Sequence, residues 1–172
     1  EVGTGDYFGP IVVTATYVSK DDIEFLEELG VRDSKKLTDT KIMEVVPKII
    51  KKIPYDQYIF TASNRMASEK ILKHIGLYDI FKDKFYSVED FGVYKKNENS
   101  VVYKQYCDKI NYNPKDCIFI DDSYSNLEFA KQTGMTTVRI FYKDNSAKDK
   151  TYIDTAFKGV EECVDALIKF KS

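Results

Sequence analysis

Cys117-Ile118-Phe119-Ile120-Asp121-Asp122-Ser123-Tyr124-Ser125-Asn126 is the stretch whose reading decides the fold. Three apolar residues run into two adjacent carboxylates. A short polar loop follows, and a helical pattern begins at Asn126 with Leu127, Phe129 and Ala130. This pattern predicts a buried strand that ends at a site, because ligands of parallel α/β sheets bind beyond the carboxyl ends of strands. Two neighbouring carboxylates with no arginine nearby in sequence repel each other unless a proton or a cation intervenes. Mg²⁺ suits them, since hard cations take oxygen ligands. The alternative is a solvated turn with a helix N-cap, where Asp and Ser are common.

Working outward, strands and helices alternate. Tyr58–Thr61 reads as a short buried strand, followed by a helix at Met66–Ile75 that Gly76 ends. Tyr78–Phe85 is aromatic-rich and ambiguous, and Ser87–Tyr94 is expected to hold an extended piece. Asn99 or Ser100 starts a helix at Val101–Ile110. After the central stretch come a helix at Leu127–Thr133, a strand at Thr136–Phe141 and a charged loop at Tyr142–Lys150. Tyr152-Ile153 is expected as a last short strand, and Val160–Phe170 as a terminal helix. Such alternation implies a parallel sheet wrapped by helices.

Toward the N-terminus, Gly3-Thr4-Gly5 and Gly9-Pro10 mark turns. Ile11–Val18 is a β-branched run between turn residues and is expected to be a strand. A helix at Ile23–Leu29 stops at Gly30. A second, at Lys41–Lys52, carries Ile42, Val45, Val46, Ile49 and Ile50 at helical spacing, with Pro47 kinking or dividing it.

The chain of 172 residues suits one domain with a sizeable core. A formal net charge of −2 argues against broad electrostatic attraction to nucleic acid, although a local basic patch remains compatible with it. Cys107, Cys117 and Cys163 are odd in number and widely spaced, which suits reduced thiols in a cytoplasmic protein. No apolar run reaches membrane-spanning length, and no signal peptide is visible. The start at Glu1, without Met, is expected of a processed, trimmed or engineered product. His74, the single histidine, sits among Ile71, Leu72 and Ile75 and reads as structural.

From about Tyr55 to the C-terminus, the motifs resemble those of haloacid dehalogenase-like phosphatases, the pyrimidine 5′-nucleotidase-like branch in particular. Ile59-Phe60-Thr61-Ala62-Ser63-Asn64 is similar to that family's second motif, whose Thr hydroxyl binds a phosphoryl group. Lys96, preceding Asn99-Ser100-Val101, fits the third-motif lysine, with Lys95 as competitor. Phe119-Ile120-Asp121-Asp122-Ser123 with Asn126 is similar to the fourth. The resemblance implies a phosphate site at Thr61, Ala62 and Lys96, and Mg²⁺ held by Asp122 with Asp121 and supported by Asn126. Lysine, hydroxyl and Mg²⁺ suit a phosphoryl group because its oxygens carry the charge. The family's nucleophile lies in an Asp-x-Asp motif, and this sequence contains none. Asp21-Asp22 reads as a helix start.

Residues 1–54 resemble a different family. Glu1-Val2-Gly3-Thr4-Gly5-Asp6-Tyr7-Phe8-Gly9-Pro10 and Arg32-Asp33-Ser34-Lys35-Lys36-Leu37 are similar to type 2 ribonucleases H, ribonuclease HIII in particular. That resemblance makes Glu1 a metal-binding carboxylate. It assigns Gly3, Thr4 and Gly5 to backbone reading of an RNA 2′-hydroxyl, and Lys35 and Lys36 to phosphates. The Asp of the Asp-Glu pair, the strand expected before Glu1 and the family's later carboxylates are absent from this sequence.

Together these readings predict a single α/β domain over residues 1–172: three layers, a mainly parallel sheet and a Rossmann-like core, with a ribonuclease H-like N-terminal strand and helices. A junction falls near 54–57. The expected function is that of an engineered or recombined phosphatase-like protein without intact catalysis. A residual site for Mg²⁺, weakly held, and for a small phosphate or nucleotide is expected to remain. Two alternatives stand beside it. One is a working Mg²⁺-dependent nucleotidase whose carboxylate comes from Glu1 or Asp6. The other is binding of RNA–DNA hybrids without cleavage.

Overall fold

A computed structural model describes residues 47–48, 50–51, 53, 55–96, 98–141 and 150–169. The strand expected at Ile11–Val18, the helix at Ile23–Leu29, the residues Glu1, Gly3, Thr4, Gly5, Lys35 and Lys36, and the segment 142–149 lie outside these. Pro47, Lys48, Ile50 and Lys51 are helical, as expected for the end of the second helix.

Among the described residues, five strands form two sheets, and every pairing is parallel. In the first sheet β1 (Ile59–Thr61) pairs with β2 (Phe85–Ser87). In the second the order is β3 (Ile118–Asp121), β4 (Thr136–Phe141), β5 (Thr155–Lys158). Parallel neighbours need crossover connections, and helices supply them. α1 (Arg65–His74) and α2 (Tyr78–Phe81) lie between β1 and β2. A 3₁₀ helix (Val88–Phe91) and α3 (Val101–Ile110) lie between β2 and β3. α4 (Tyr124–Gln132) joins β3 to β4, and α5 (Val160–Lys169) follows β5.

Strand alternation sends successive side chains to opposite faces. Phe60 joins a core with Val102, Tyr103, Tyr106 and Cys107 of α3 and Leu127 and Ala130 of α4, and Phe119 of β3 joins the same core. Ile59 packs on the other face against Leu72, Leu77 and Phe81. Val138 and Ile140 pack against Cys163 and Leu167 of α5. Helices thus pack on both faces of β1, as the expected α/β arrangement requires. Each buried Val, Leu, Ile or Phe side chain among these contributes roughly 1.5–3 kcal/mol. The Phe60 ring also stacks on Tyr106 at 4.6 Å and meets Tyr103 edge-on at 5.8 Å.

Local chemistry corrects three expectations. Ser87–Tyr94 is not extended beyond Ser87. A capping box turns the chain instead: Ser87 Oγ accepts from Glu89 N–H, and Asp90 accepts from Ser87 N–H at 2.8 Å. Gly92, at φ +69°, then ends the 3₁₀ helix. Tyr152-Ile153 is a turn, and the strand begins at Thr155. Asp154 sets that start by accepting from the Thr137 N–H at 2.8 Å and from its hydroxyl at 3.0 Å. The helix after β3 begins at Tyr124, because Ser123 is extended and acts as N-cap. The ambiguous Tyr78–Phe85 segment resolves into α2 followed by the first residue of β2.

Candidate functional site

The carboxyl ends of β1 and β3 meet through one lysine. Lys96 Nζ donates to Asp121 Oδ2 at 2.5 Å and to the Phe60 carbonyl at 3.5 Å. It lies over the Phe119 ring at 5.4 Å and the Phe60 ring at 5.9 Å. Both Lys96 and Asp121 are buried, whereas Lys95 is exposed. A buried ammonium needs such partners, since an unpaired charge in a low-dielectric setting is costly.

Asp121 is fully engaged. Its second oxygen accepts from Ser123 N–H at 2.9 Å and from Asn126 Nδ2 at 3.1 Å. Asn126 reaches it because α4 starts two residues earlier than the helical pattern alone implied. Asp122 differs from its neighbour and is exposed. Its carboxyl stands above the ordinary range, because partial burial and then the like charge of Asp121 disfavour ionisation. Its main chain is held from the next strand, where Arg139 Nε donates to the Asp122 carbonyl at 3.4 Å.

Thr61 ends β1 and is buried, and its hydroxyl accepts from Ser63 N–H at 3.1 Å. Ser87 Oγ donates to the Ser63 carbonyl at 2.8 Å, which pins the Thr61-Ala62-Ser63 turn. The structure thus brings Lys96, Asp121, Asn126 and the Phe60–Thr61 strand end together. Asp122 lies beside them on the exposed side. Among the described residues, no group of three His, Cys, Asp or Glu is placed to hold a metal ion.

Sequence reasoning missed two members of this neighbourhood. Arg139 stands opposite Asp121 in the β3–β4 register, its guanidinium 3.7 Å from the Tyr124 ring centroid, and it donates to the Tyr124 hydroxyl. A buried arginine inside the apolar run Thr136–Phe141 was the available signal. Tyr103, fully buried, lies between the Phe60 and Phe119 rings, and its hydroxyl has no hydrogen-bond partner among the described residues. Nothing in its sequence context distinguishes it from an ordinary core tyrosine.

Parallel strands flanked by helices make an α/β fold similar to that of solved haloacid dehalogenase-like hydrolases. A dehalogenase solved as an intermediate complex superposes with a TM-score of 0.63 at 21% identity, over 86% of this chain and 70% of that one. A haloacid dehalogenase-like protein of Agrobacterium tumefaciens gives 0.58 at 14%, over 93% and 81%. A haloacid dehalogenase family hydrolase of Deinococcus radiodurans, solved with bound phosphate and sodium, gives 0.58 at 16%, over 88% and 68%.

The sequence comparison points elsewhere: residues 1–115 match the model of ribonuclease HII, and by that match the chain belongs to the ribonuclease HII family. Ribonuclease HIII of Phytoplasma mali is 42% identical over 131 residues, covering 63% of this chain and 45% of that protein. Its counterpart in Lactococcus lactis is 36% identical over 124 residues, covering 66% and 42%. The chain therefore spans less than half the length of these two relatives. The match to the family runs past residues 54–57. One chain thus combines ribonuclease HII-family sequence with a haloacid dehalogenase-like fold.

Proposed function

We propose that the chain is a recombined protein. A ribonuclease HIII-like segment, residues 1–54, runs near 54–57 into a phosphatase-like segment within a single α/β domain. In this reading the crevice at Thr61, Ala62, Lys96, Asp121 and Asp122 binds a small phosphate or nucleotide and, weakly, Mg²⁺, without intact catalysis. The observation that carries it is Lys96, whose one ammonium touches both strand ends. The sequence has no Asp-x-Asp pair to serve as nucleophile and acid–base. Three thiols free of disulfides suit a cytoplasmic setting, and among the described residues no helix is long and apolar enough to cross a membrane.

The donor set fits a weakly held magnesium ion. Asp122 offers an exposed carboxylate, and Asp121 offers a second once Lys96 turns away. When bound, Mg²⁺ supplies charge neutralisation to phosphate oxygens. Lys96 then exchanges Asp121 for the phosphate, while the Thr61 hydroxyl and the Ala62 backbone orient it. Phosphate and cation are therefore expected to bind better together than apart, because each takes one half of the Lys96–Asp121 pair. Calorimetric titration of inorganic phosphate and a pyrimidine monophosphate, with and without Mg²⁺, tests this. No binding in either condition rejects the reading.

A second reading follows from the family match over residues 1–115. Gly3, Thr4 and Gly5 with Lys35 and Lys36 would hold an RNA–DNA hybrid without cleaving it. Its mark is affinity that falls steeply with salt and drops further in Lys35→Ala/Lys36→Ala.

A further inference from the structure

Two free thiols stand side by side. Cys107 Sγ lies 3.7 Å from Cys117 Sγ and donates a hydrogen bond to it, and Cys117 Sγ donates in turn to the Asn113 carbonyl at 3.4 Å. The chain between them is short and held at both ends. α3 closes on Asn111, whose φ of 61° turns the backbone into the left-handed region. Tyr112 N–H then donates to the Cys107 carbonyl at 3.0 Å. The Asn113 side chain caps a 3₁₀ helix at Pro114–Asp116, and Cys117 N–H donates to the Pro114 carbonyl at 3.1 Å. From β4, Thr136 N–H donates to the Cys117 carbonyl at 3.0 Å. Both cysteine backbones are thus anchored, and the sulfurs are kept as neighbours. A disulfide bond measures about 2.05 Å, so side-chain rotation with a small backbone shift closes the remaining gap.

The two thiols differ in a way that sets an order of reaction. Cys107 is fully buried in the core around Phe60, whereas Cys117 is half-buried. Burial pushes the Cys107 thiol up to about 12. Burial raises Cys117 as well, but the hydrogen bond it shares with Cys107 works in the opposite direction. The thiolate is the reactive form, so Cys117 reacts first and Cys107 follows. Cys163 is a contrast within the same chain: it is buried beside Val138 and Ile140, and burial pushes its thiol up to about 11.

We propose that Cys107 and Cys117 form a modification site for a two-electron oxidant of the peroxide class, which closes them into a reversible disulfide within the chain. The Cys117 thiolate attacks a peroxide oxygen, the O–O bond breaks, and the leaving hydroxide takes up a proton as water. Cys117 is then a sulfenic acid, which condenses with a thiol. The Cys107 sulfur attacks the Cys117 sulfur, the S–O bond breaks, and hydroxide departs as water with the Cys107 proton. Two thiols are oxidised by one peroxide, which is reduced to two waters. Thiols that are reluctant to ionise react slowly, so the pair responds to sustained exposure. Cys117 precedes the start of β3 and Asp121 ends it, so the site does not rest on phosphate binding at the crevice.

Peptide mapping of the unaltered full chain tests the proposal. The reduced protein is treated with hydrogen peroxide, unfolded in the presence of iodoacetamide and digested with trypsin. Residues 105–109 and 116–131 are expected to be joined within monomers, with Cys163 alkylated, and dithiothreitol should separate them. Dimedone, which traps sulfenic acids, reads the order. Cys107→Ala should carry an adduct on Cys117, and Cys117→Ala should carry none on Cys107. If the core variant Cys107→Ala does not fold, the mapping of the unaltered protein decides alone. Alkylation of both Cys107 and Cys117 after peroxide, linkage of either to Cys163, or cross-links found only between chains would overturn the proposal. A dimedone adduct on Cys107 in Cys117→Ala would overturn the order of reaction.

Discussion

Lys96 and Asp121 form a buried ion pair at 2.5 Å, their side chains exposing 6% and 3% of their surface. Removing water from both charges offsets much of their attraction, so the pair is a weak source of stability but hard to break one-sidedly. We expect Lys96→Ala or Asp121→Ala to lose about 3–5 kcal/mol, as an uncompensated charge is left behind. Lys96→Met with Asp121→Leu should recover most of that loss. Urea unfolding of the three variants measures it. Single-variant losses below about 1 kcal/mol would mean that water reaches the pair freely.

Asp154 makes folding depend on acid. Burial works to raise its carboxyl, but the Lys131 ammonium and the Thr137 N–H and hydroxyl outweigh burial and hold it below the ordinary carboxylate range. A depressed folded pKa contributes stability that is present above the unfolded value and lost as pH falls through the folded one. Asp154→Asn should therefore destabilise the protein near neutral pH and flatten the acid limb of its stability curve. An unchanged acid limb in thermal melts at stepped pH would show that Asp154 is not ionised in the fold.

Metal binding should be weak and should depend on Asp122. One or two carboxylates with water make a poor cage for Mg²⁺, and Asp121 is already committed to Lys96, Ser123 and Asn126. A Mn²⁺ relaxation titration should give binding in the millimolar range, of order 10⁻³ M, that disappears in Asp122→Ala. Tight binding that survives this substitution places the ion elsewhere.

Turnover of a generic phosphomonoester, of pyrimidine monophosphates and of a labelled RNA–DNA hybrid should stay at background with Mg²⁺ or Mn²⁺. Catalytic residues act as a unit, so losing one member already removes most of the rate. Phosphatase activity abolished by Asp122→Asn would reveal a rebuilt site. Hybrid cleavage abolished by Glu1→Gln would instead assign activity to the ribonuclease-like segment.

The α/β class and most elements from Tyr58 onward were legible because they rest on local patterns. Apolar runs ending in turn residues marked β1, β3 and β4, and helical spacing marked α1, α3 and α5. The misplaced pieces are those where a side chain captured the backbone. Ser87 and Asp90 turned an expected extension into a 3₁₀ helix, and Asp154 delayed β5 by bonding across to Thr137. Sequence also singled out Lys96 and Asp121, but as ligands for absent partners. Only the tertiary structure paired them with each other, because contacts 25 residues apart depend on how β1 and β3 come to lie across one crevice.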